Sequence, residues 1–489
     1  MSATFLFSFV IVYFLLLLGV AWYTSRNSNN DSFFIGNRNS NWMLVSFGMI
    51  GTSLSGVTFV SVPGTVGANG FGYFQVVMGY FIGYFVVAYV LLPLYYRLNL
   101  TSIYNYLQQR FGYTAYKTGA LFFIISRVLG ATARLYLVIN VLQLFILNNM
   151  HIPFWLTAFV ILLMILLYTF EGGVKTIVFT DTLQTTFMLT GLVVCVIYIM
   201  NNLNLSFTGT VHSLTEKGYT KIINTDVKSA GFFLKQIIGG MFITIGMTGL
   251  DQEMMQKNIS VKNLKDSKKN MITFSIVLVI VNLLFLLLGG LLYLFAQAKN
   301  ITIKGDDLFP TIALNYLPSI ISIIFIIGLI SALFPSADGA LTALTSSFCI
   351  DILGIKRRTD INEKQRRSTR LMVHFIFAGI FFLAVMIFKW IDDKSIIDII
   401  LKVAGYTYGP LLALFSFGIL TKRQLGEGIN VLLICIASPV ACFFLDRYST
   451  TIFNGYKIGI ELLLINGLIT FMCLWLISKP ATGKTGVNT

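Results

Sequence analysis

Apolar runs of about 20 residues recur along this chain, parted by short polar breaks. A helix rising about 1.5 Å per residue needs that length to cross roughly 30 Å of hydrocarbon. Thirteen candidate spans follow, at about 4–24, 44–66, 72–97, 117–147, 153–170, 175–200, 231–256, 271–297, 312–352, 369–389, 396–421, 426–446 and 457–478. The ninth is too long for one straight span and is expected to bend or run past the bilayer. The pattern predicts an all-α polytopic membrane protein of about 13 transmembrane helices, with residues 1–489 forming one membrane domain. The longest polar loop is about 201–230, and no stretch reads as an appended soluble domain.

Two runs carry more oxygen than lipid-buried helices need. The second span holds GTSLSG (51–56), two glycines around three hydroxyls. Small hydroxylated residues let a helix open and still find partners, and an opened helix offers carbonyls to a cation. Close helix packing is the competing reading. The ninth span holds ALFPSADGALTALTSS (332–347). Pro335 has no N–H and clashes with the carbonyl one turn back, at Ser331, so a second interruption is expected beside Ser336. Two broken helices side by side are then expected to supply the oxygens that a hard Na⁺ ion takes. A kinked packing helix is the alternative.

Charges inside the runs narrow the chemistry. Asp338 in the ninth span and Asp181 in the sixth are functional candidates, because a carboxylate at membrane depth is costly unless paired. Arg127 and Arg134 stand seven residues apart on the fourth span, so they share one helical face. That face is expected either to grip an anionic solute in a bidentate contact or to pair with Asp181 or Asp338. Asp251 and Glu253 sit near one end of the seventh span, where reaching out to the interface is the simpler reading.

Composition agrees with a membrane carrier. The chain is 56% hydrophobic and only 11% charged, a balance that a soluble protein of 489 residues cannot hide. Net charge is +15. With the N-terminus outside, the inner segments hold 22 Lys and Arg and the outer ones 9, with four inside spans. This positive-inside bias predicts an outside N-terminus, a cytoplasmic C-terminus and a lipid bilayer as partner, not a nucleic acid. The five cysteines lie in or beside apolar runs with no CxxC pair, and the three histidines have no metal-ligand spacing. The first run lacks a basic leader and a small-residue cleavage site, so it is expected to remain as a helix. No Walker A loop, HExxH, GxSxG or strand-borne GxGxxG occurs, and no enzymatic activity is expected.

Five signatures stand in order: DSFFIGNRNSNW, GTSLSGVTF, TSIYNYLQQRFG, EGGVKTIVFTDTLQ and DQEMMQK. On these, over about residues 30–425, the chain resembles the sodium:solute symporters, which include sodium/glucose, proline and sialic-acid cotransporters. The resemblance implies a LeuT-like core of five-plus-five inverted repeats, placed on 44–200 and 231–421. An extra helix at 4–24 and two peripheral helices at 426–478 flank it. It implies Na⁺-coupled import of a small organic solute by alternating access, in the inner membrane of a bacterium. It also implies a main Na⁺ site using the carbonyls of Gly51, Leu54 and Ala332 and two hydroxyls, which fall on Pro335 and Ser336, so one hydroxyl is missing. A second Na⁺ site in the sialic-acid branch falls on Asp181 with Asp338 and Gly339, and Asp338 is expected to repair the ligand count either at the main site or at a shifted second site. Solute contacts fall on Ser53, Ser55, Thr58 and Gln75. The branch's carboxylate-binding arginine falls on Gly130, one turn from Arg127 and Arg134. An anionic sugar such as sialic acid fits these positions. Proton coupling through Asp338 or Asp181, or a solute-sensing role, are the alternatives. The sequence leaves the oligomeric state open, a monomer being sufficient.

Overall fold

A computed structural model of the chain describes residues 3–25, 33–34, 36–169, 173–391 and 396–480. Asp31, Ser32 and Ile35 of the first signature, Glu171 and Gly172 of the fourth, and the tail beyond residue 480 lie outside the described residues.

Helices dominate, in the order α1 (Ala3–Ser25), α2 (Trp42–Ser53), α3 (Gly56–Asn69), α4 (Phe74–Arg97), α5 (Asn105–Phe111), α6 (Tyr113–Met150), α7 (Phe154–Thr169), α8 (Gly173–Asn202) and α9 (Phe207–Glu216). They continue with α10 (Phe233–Gly249), α11 (Gln252–Ile259), α12 (Leu264–Ala298), α13 (Leu308–Asn315), α14 (Ser319–Ile352), α15 (Glu363–Ile391), α16 (Ile396–Leu420), α17 (Asn430–Ile452) and α18 (Leu462–Ile477). Among the described residues, nine helices are long and apolar enough to cross a membrane. The bent pairs α2–α3 and α10–α11 bring the number to eleven. The shorter apolar helices α7 and α18 lie where the fifth and last spans were expected.

The two breaks have a simple placement. The α2–α3 pair bends by 55° and the α10–α11 pair by 64°. Each falls in the first helix of a segment, 44–200 or 231–421, that the resemblance marks as a repeat. The break expected at Pro335 is not there: α14 runs as one helix through it. A proline inside a membrane helix is tolerated where neighbours hold the chain in place. Here Pro335 is fully enclosed, and Ser336 Oγ returns a hydrogen bond to the Leu333 carbonyl, 2.9 Å away.

Packing fixes both broken helices against rigid partners. α4 and α10 meet backbone to backbone because Gly79 and Gly240 face each other. A Cβ on Gly240 would lie 2.4 Å from the Val76 carbonyl oxygen. Phe59, one turn into α3, sits 5.4, 5.7 and 5.8 Å from the rings of Phe309, Phe285 and Phe325. That aromatic block ties α3 to α12, α13 and α14.

Candidate functional site

The first break leaves its backbone open. Asn41 starts α2 by accepting the Met43 N–H, and the last helical bond runs from Leu54 N–H to the Ile50 carbonyl, 2.7 Å. A helix end leaves its final carbonyls without intrahelical donors. Ser55 then begins α3 with no side-chain cap. The carbonyls of 51–54 and the N-terminus of α3 therefore converge on one spot. Gly51 wedges that spot between α8 and α14: its N–H donates to Thr185 Oγ1 at 3.1 Å, and an added Cβ would meet Pro335 Cγ at 3.5 Å. Ala332 and Ser336 stand three residues before and one after Pro335 on α14, so they flank the residue that Gly51 packs against.

The second break is closed by the protein itself. Asp251 caps α11 by accepting from the N–H groups of Glu253 and Met254 at 2.9 and 3.3 Å. Tyr408 donates to its other oxygen at 2.7 Å. The carbonyls left over at the end of α10 are taken by tyrosines, Gly249 by Tyr95 (2.7 Å) and Leu250 by Tyr104 (2.9 Å). Interface snorkelling is therefore the wrong reading of Asp251 and Glu253. Both are buried at the break, where a helix N-terminus favours a carboxylate.

Around the breaks runs a buried ionic network. Arg127 binds Glu253 and lies 3.6 Å from Asp251, so the structural pairing expected as one of its two roles falls on these carboxylates and not on Asp181 or Asp338. Glu253 fits because residue 339 is glycine, whose added Cβ would fall 2.2 Å from Glu253 Oε1. Lys257, one turn beyond Glu253, places Nζ 2.6 Å from Asp181 Oδ2, 2.6 Å from Thr52 Oγ1 and 3.6 Å from Glu253 Oε1. Asp338 turns to the other side of α14, about 200° from Ser336 by helix geometry. There its carboxylate accepts from Tyr168 Oη at 2.8 Å and from the Gly339 N–H. Asp338 and Ser336 thus do not share one ligand set. Among the described residues, Asp181 Oδ1, both amide atoms of Gln184 and Thr342 Oγ1 are buried without a hydrogen-bond partner.

A cavity opens beside the first break, lined by Ser53, Ser55, Thr58, Tyr73, Tyr80, Tyr84, Thr244, Thr248, Asn282, Arg127 and Arg134 among others. Hydroxyls, one amide and two guanidiniums, of which Arg127's is already taken by Glu253, face one small space. Arg134 is half-buried there, and among the described residues no carboxylate lies within ion-pairing distance of it. Gln75 is elsewhere. Its side chain is tied to Gly72, Gly231 and Asn224 in a second, wider cavity that shares Tyr73 and Leu401 with the first and that Lys217, Lys221 and Lys402 also line. Sequence reasoning missed the three tyrosines, Asn282 and Lys257. For Lys257 a signal existed: it stands four residues after Glu253, the spacing of a helical ion pair.

The family model "Sodium:solute symporter family" matches residues 33–430. The sodium/sialic acid symporter SiaT of Proteus mirabilis is 24% identical over 482 residues, covering 93% of this chain and 92% of its own length. The rabbit (Oryctolagus cuniculus) sodium/glucose cotransporter 1 is 22% identical, covering 85% of this chain and 68% of its own. A solved structure titled as the substrate-bound outward-open state of a Na⁺-coupled sialic acid symporter superposes with a TM-score of 0.82 at 20% identity, covering 96% of this chain and 97% of that one. The fold is thus the LeuT-like helical fold, and with the family model spanning most of its length, this chain belongs to the sodium:solute symporter family.

Proposed function

We propose that this symporter couples Na⁺ to the uptake of a small carboxylate-bearing polyol, of the kind that the sialic-acid relatives carry by name. Arg134 carries the reading: a guanidinium without a carboxylate of its own, set in a cavity of hydroxyls. Such a group binds a carboxylate through two parallel charge-assisted hydrogen bonds. The tyrosines, Thr244, Thr248 and Asn282 offer donors and acceptors to sugar hydroxyls. Arg127, already held by Glu253, orients the broken helix rather than the solute. Of the expected solute contacts, Ser53, Ser55 and Thr58 keep that role and Gln75 does not.

Na⁺ is assigned to the open junction, with carbonyl ligands from Gly51, Leu54 and Ala332 and the Ser336 hydroxyl. Among the described residues, no side chain donates to the Gly51 or Leu54 carbonyl as Tyr95 and Tyr104 donate at the other break. The ion ties α2 to α14 and favours the state that admits solute, as it must bind one conformer better than the other. The repeats are assigned to 44–200 and 231–421, with 4–24 and 426–478 peripheral. The positive-inside bias assigns an outer N-terminus and a cytoplasmic C-terminus in a bacterial inner membrane. We read the chain as a carrier and not an enzyme.

Uptake of sialic acid into proteoliposomes tests this. Na⁺ should drive it and choline should not, and Arg134→Gln should raise KM by roughly 10- to 100-fold, the loss of one charged hydrogen-bonded contact. Equal uptake by the variant refutes the solute reading. A proton-coupled reading draws on Asp338, which faces Tyr168 without a cationic partner within bonding distance among the described residues. Uptake driven by a pH gradient in the absence of Na⁺ would favour it.

A further inference from the structure

We propose that Lys257 is a built-in cation that occupies Asp181 in place of a second Na⁺, so that this chain binds a single Na⁺. The inference rests on the Na⁺-coupled reading above. Lys257 Nζ lies 2.6 Å from both Asp181 Oδ2 and Thr52 Oγ1, and its side chain is 3% exposed. An ammonium is a compact point charge with three donors. Here they meet a carboxylate, a hydroxyl and, at 3.6 Å, a second carboxylate. That is the environment a small cation would seek, filled by a side chain of α11. Thr52 adjoins the carbonyls assigned to Na⁺, so the ammonium also braces the open break against α8. A metal ion entering at Asp181 would lie against a fixed positive charge in a water-poor interior, where like charges repel strongly.

The remaining ligands show what Lys257 holds back. Among the described residues Asp181 Oδ1 is buried without a partner, and so are both amide atoms of Gln184, three residues on and on the same face of α8. Thr52 Oγ1 already touches Asp181 Oδ2 at 3.1 Å. With the ammonium gone, Asp181, Thr52 and Gln184 would form an oxygen cage next to the first Na⁺. The consequence is electrical. One Na⁺ crossing with a monovalent anion moves no net charge.

Binding of ²²Na⁺ to the purified full chain tests this without any solute. The wild type should bind one Na⁺ per chain, Lys257→Arg one, and Lys257→Gln two. Sialic acid uptake by wild-type proteoliposomes should not respond to a valinomycin-imposed K⁺ potential. Two bound Na⁺ in the wild type would overturn the inference, and so would a folded Lys257→Gln that still binds one. If Lys257→Gln fails to fold, the wild-type ratio decides alone. A wild type that binds no Na⁺ overturns the sodium reading, and this inference with it. Sodium-driven uptake that responds to the imposed potential overturns the inference only.

Discussion

Arg127→Gln separates the roles of the two arginines most cleanly. Arg127 is 3% exposed and Glu253 2%, so neither finds water to replace a lost partner. Their fates after the change differ from that of Asp251. Asp251 keeps the Tyr408 hydroxyl and two backbone N–H groups, whereas among the described residues Glu253 keeps only Lys257 at 3.6 Å. Glu253 is therefore left as a poorly compensated buried charge, a loss of about 3–5 kcal/mol for a broken buried pair. A chain this long unfolding as one unit would lose roughly 1 °C of melting temperature per kcal/mol, from about 2.1 cal/mol/K of unfolding entropy per residue. The expected fall is about 3–5 °C, read by intrinsic fluorescence in detergent at one fixed scan rate. Adding Glu253→Gln removes the stranded charge, so the double variant should recover most of the fall. Arg134→Gln, with no ion pair to break, should move the melting temperature by about 1 °C or less, as surface-like changes do. Additive falls in the double variant would show that the pair does not interact. An unshifted Arg127→Gln would refute the burial argument itself.

Three further outcomes follow from the same geometry. Ser336→Ala removes the only side-chain oxygen assigned to the main Na⁺ site and should raise the half-saturating Na⁺ concentration for uptake about tenfold, roughly 1.4 kcal/mol. Pro335→Ser adds a hydroxyl there and should lower it, and no change in either variant would count against the assigned ligands. Gly339→Ala puts a Cβ 2.2 Å from Glu253 Oε1 and should cost about 1–3 kcal/mol by overpacking, seen as a lower melting temperature and lost uptake. Removing Na⁺ should speed hydrogen exchange at residues 52–56 but not at 249–252, where Tyr95, Tyr104 and Asp251 already hold the broken backbone. Equal acceleration at both breaks would mean that Na⁺ does not sit at the first.

Much of this arrangement was legible from residue order. Apolar runs mark the helices because the bilayer demands length, and GTSLSG marks the first break because glycine and serine weaken a helix and tolerate an opened backbone. The ninth span misled: Pro335 promises a break, yet packing on all sides keeps α14 continuous. The second break was hidden for the opposite reason. Nothing in GLDQEMMQK disrupts a helix as proline does, and the signal is Asp251, a capping residue that starts α11. The partner of Arg127 lies 126 residues away, and no local spacing carries that contact. Gln75 lines the second cavity for a similar reason, because besides Gly72 its amide is held by the loop at 224–231, a contact that no local spacing carries.

Charge balance links these parts into an order of events. The buried charges near the breaks are Arg127, Arg134 and Lys257 against Asp181, Asp251, Glu253 and, on the far side of α14, Asp338. With all seven ionised, the group is one positive charge short. An anionic solute entering first would deepen that deficit in a medium where unit charges about 10 Å apart still interact by roughly 1.7 kcal/mol at an effective dielectric constant of 20. On the proposed reading, Na⁺ entering first would cancel it, and the anion would then meet Arg134 against a neutral background. The same interaction makes Na⁺ raise solute affinity by roughly 15-fold, and linkage requires solute to raise Na⁺ affinity by the same factor. Coupling of this kind needs no large rearrangement between the two sites. It needs only that the first break keep its carbonyls open while the second, sealed by tyrosines and held by Arg127 and Lys257, stays a fixed wall.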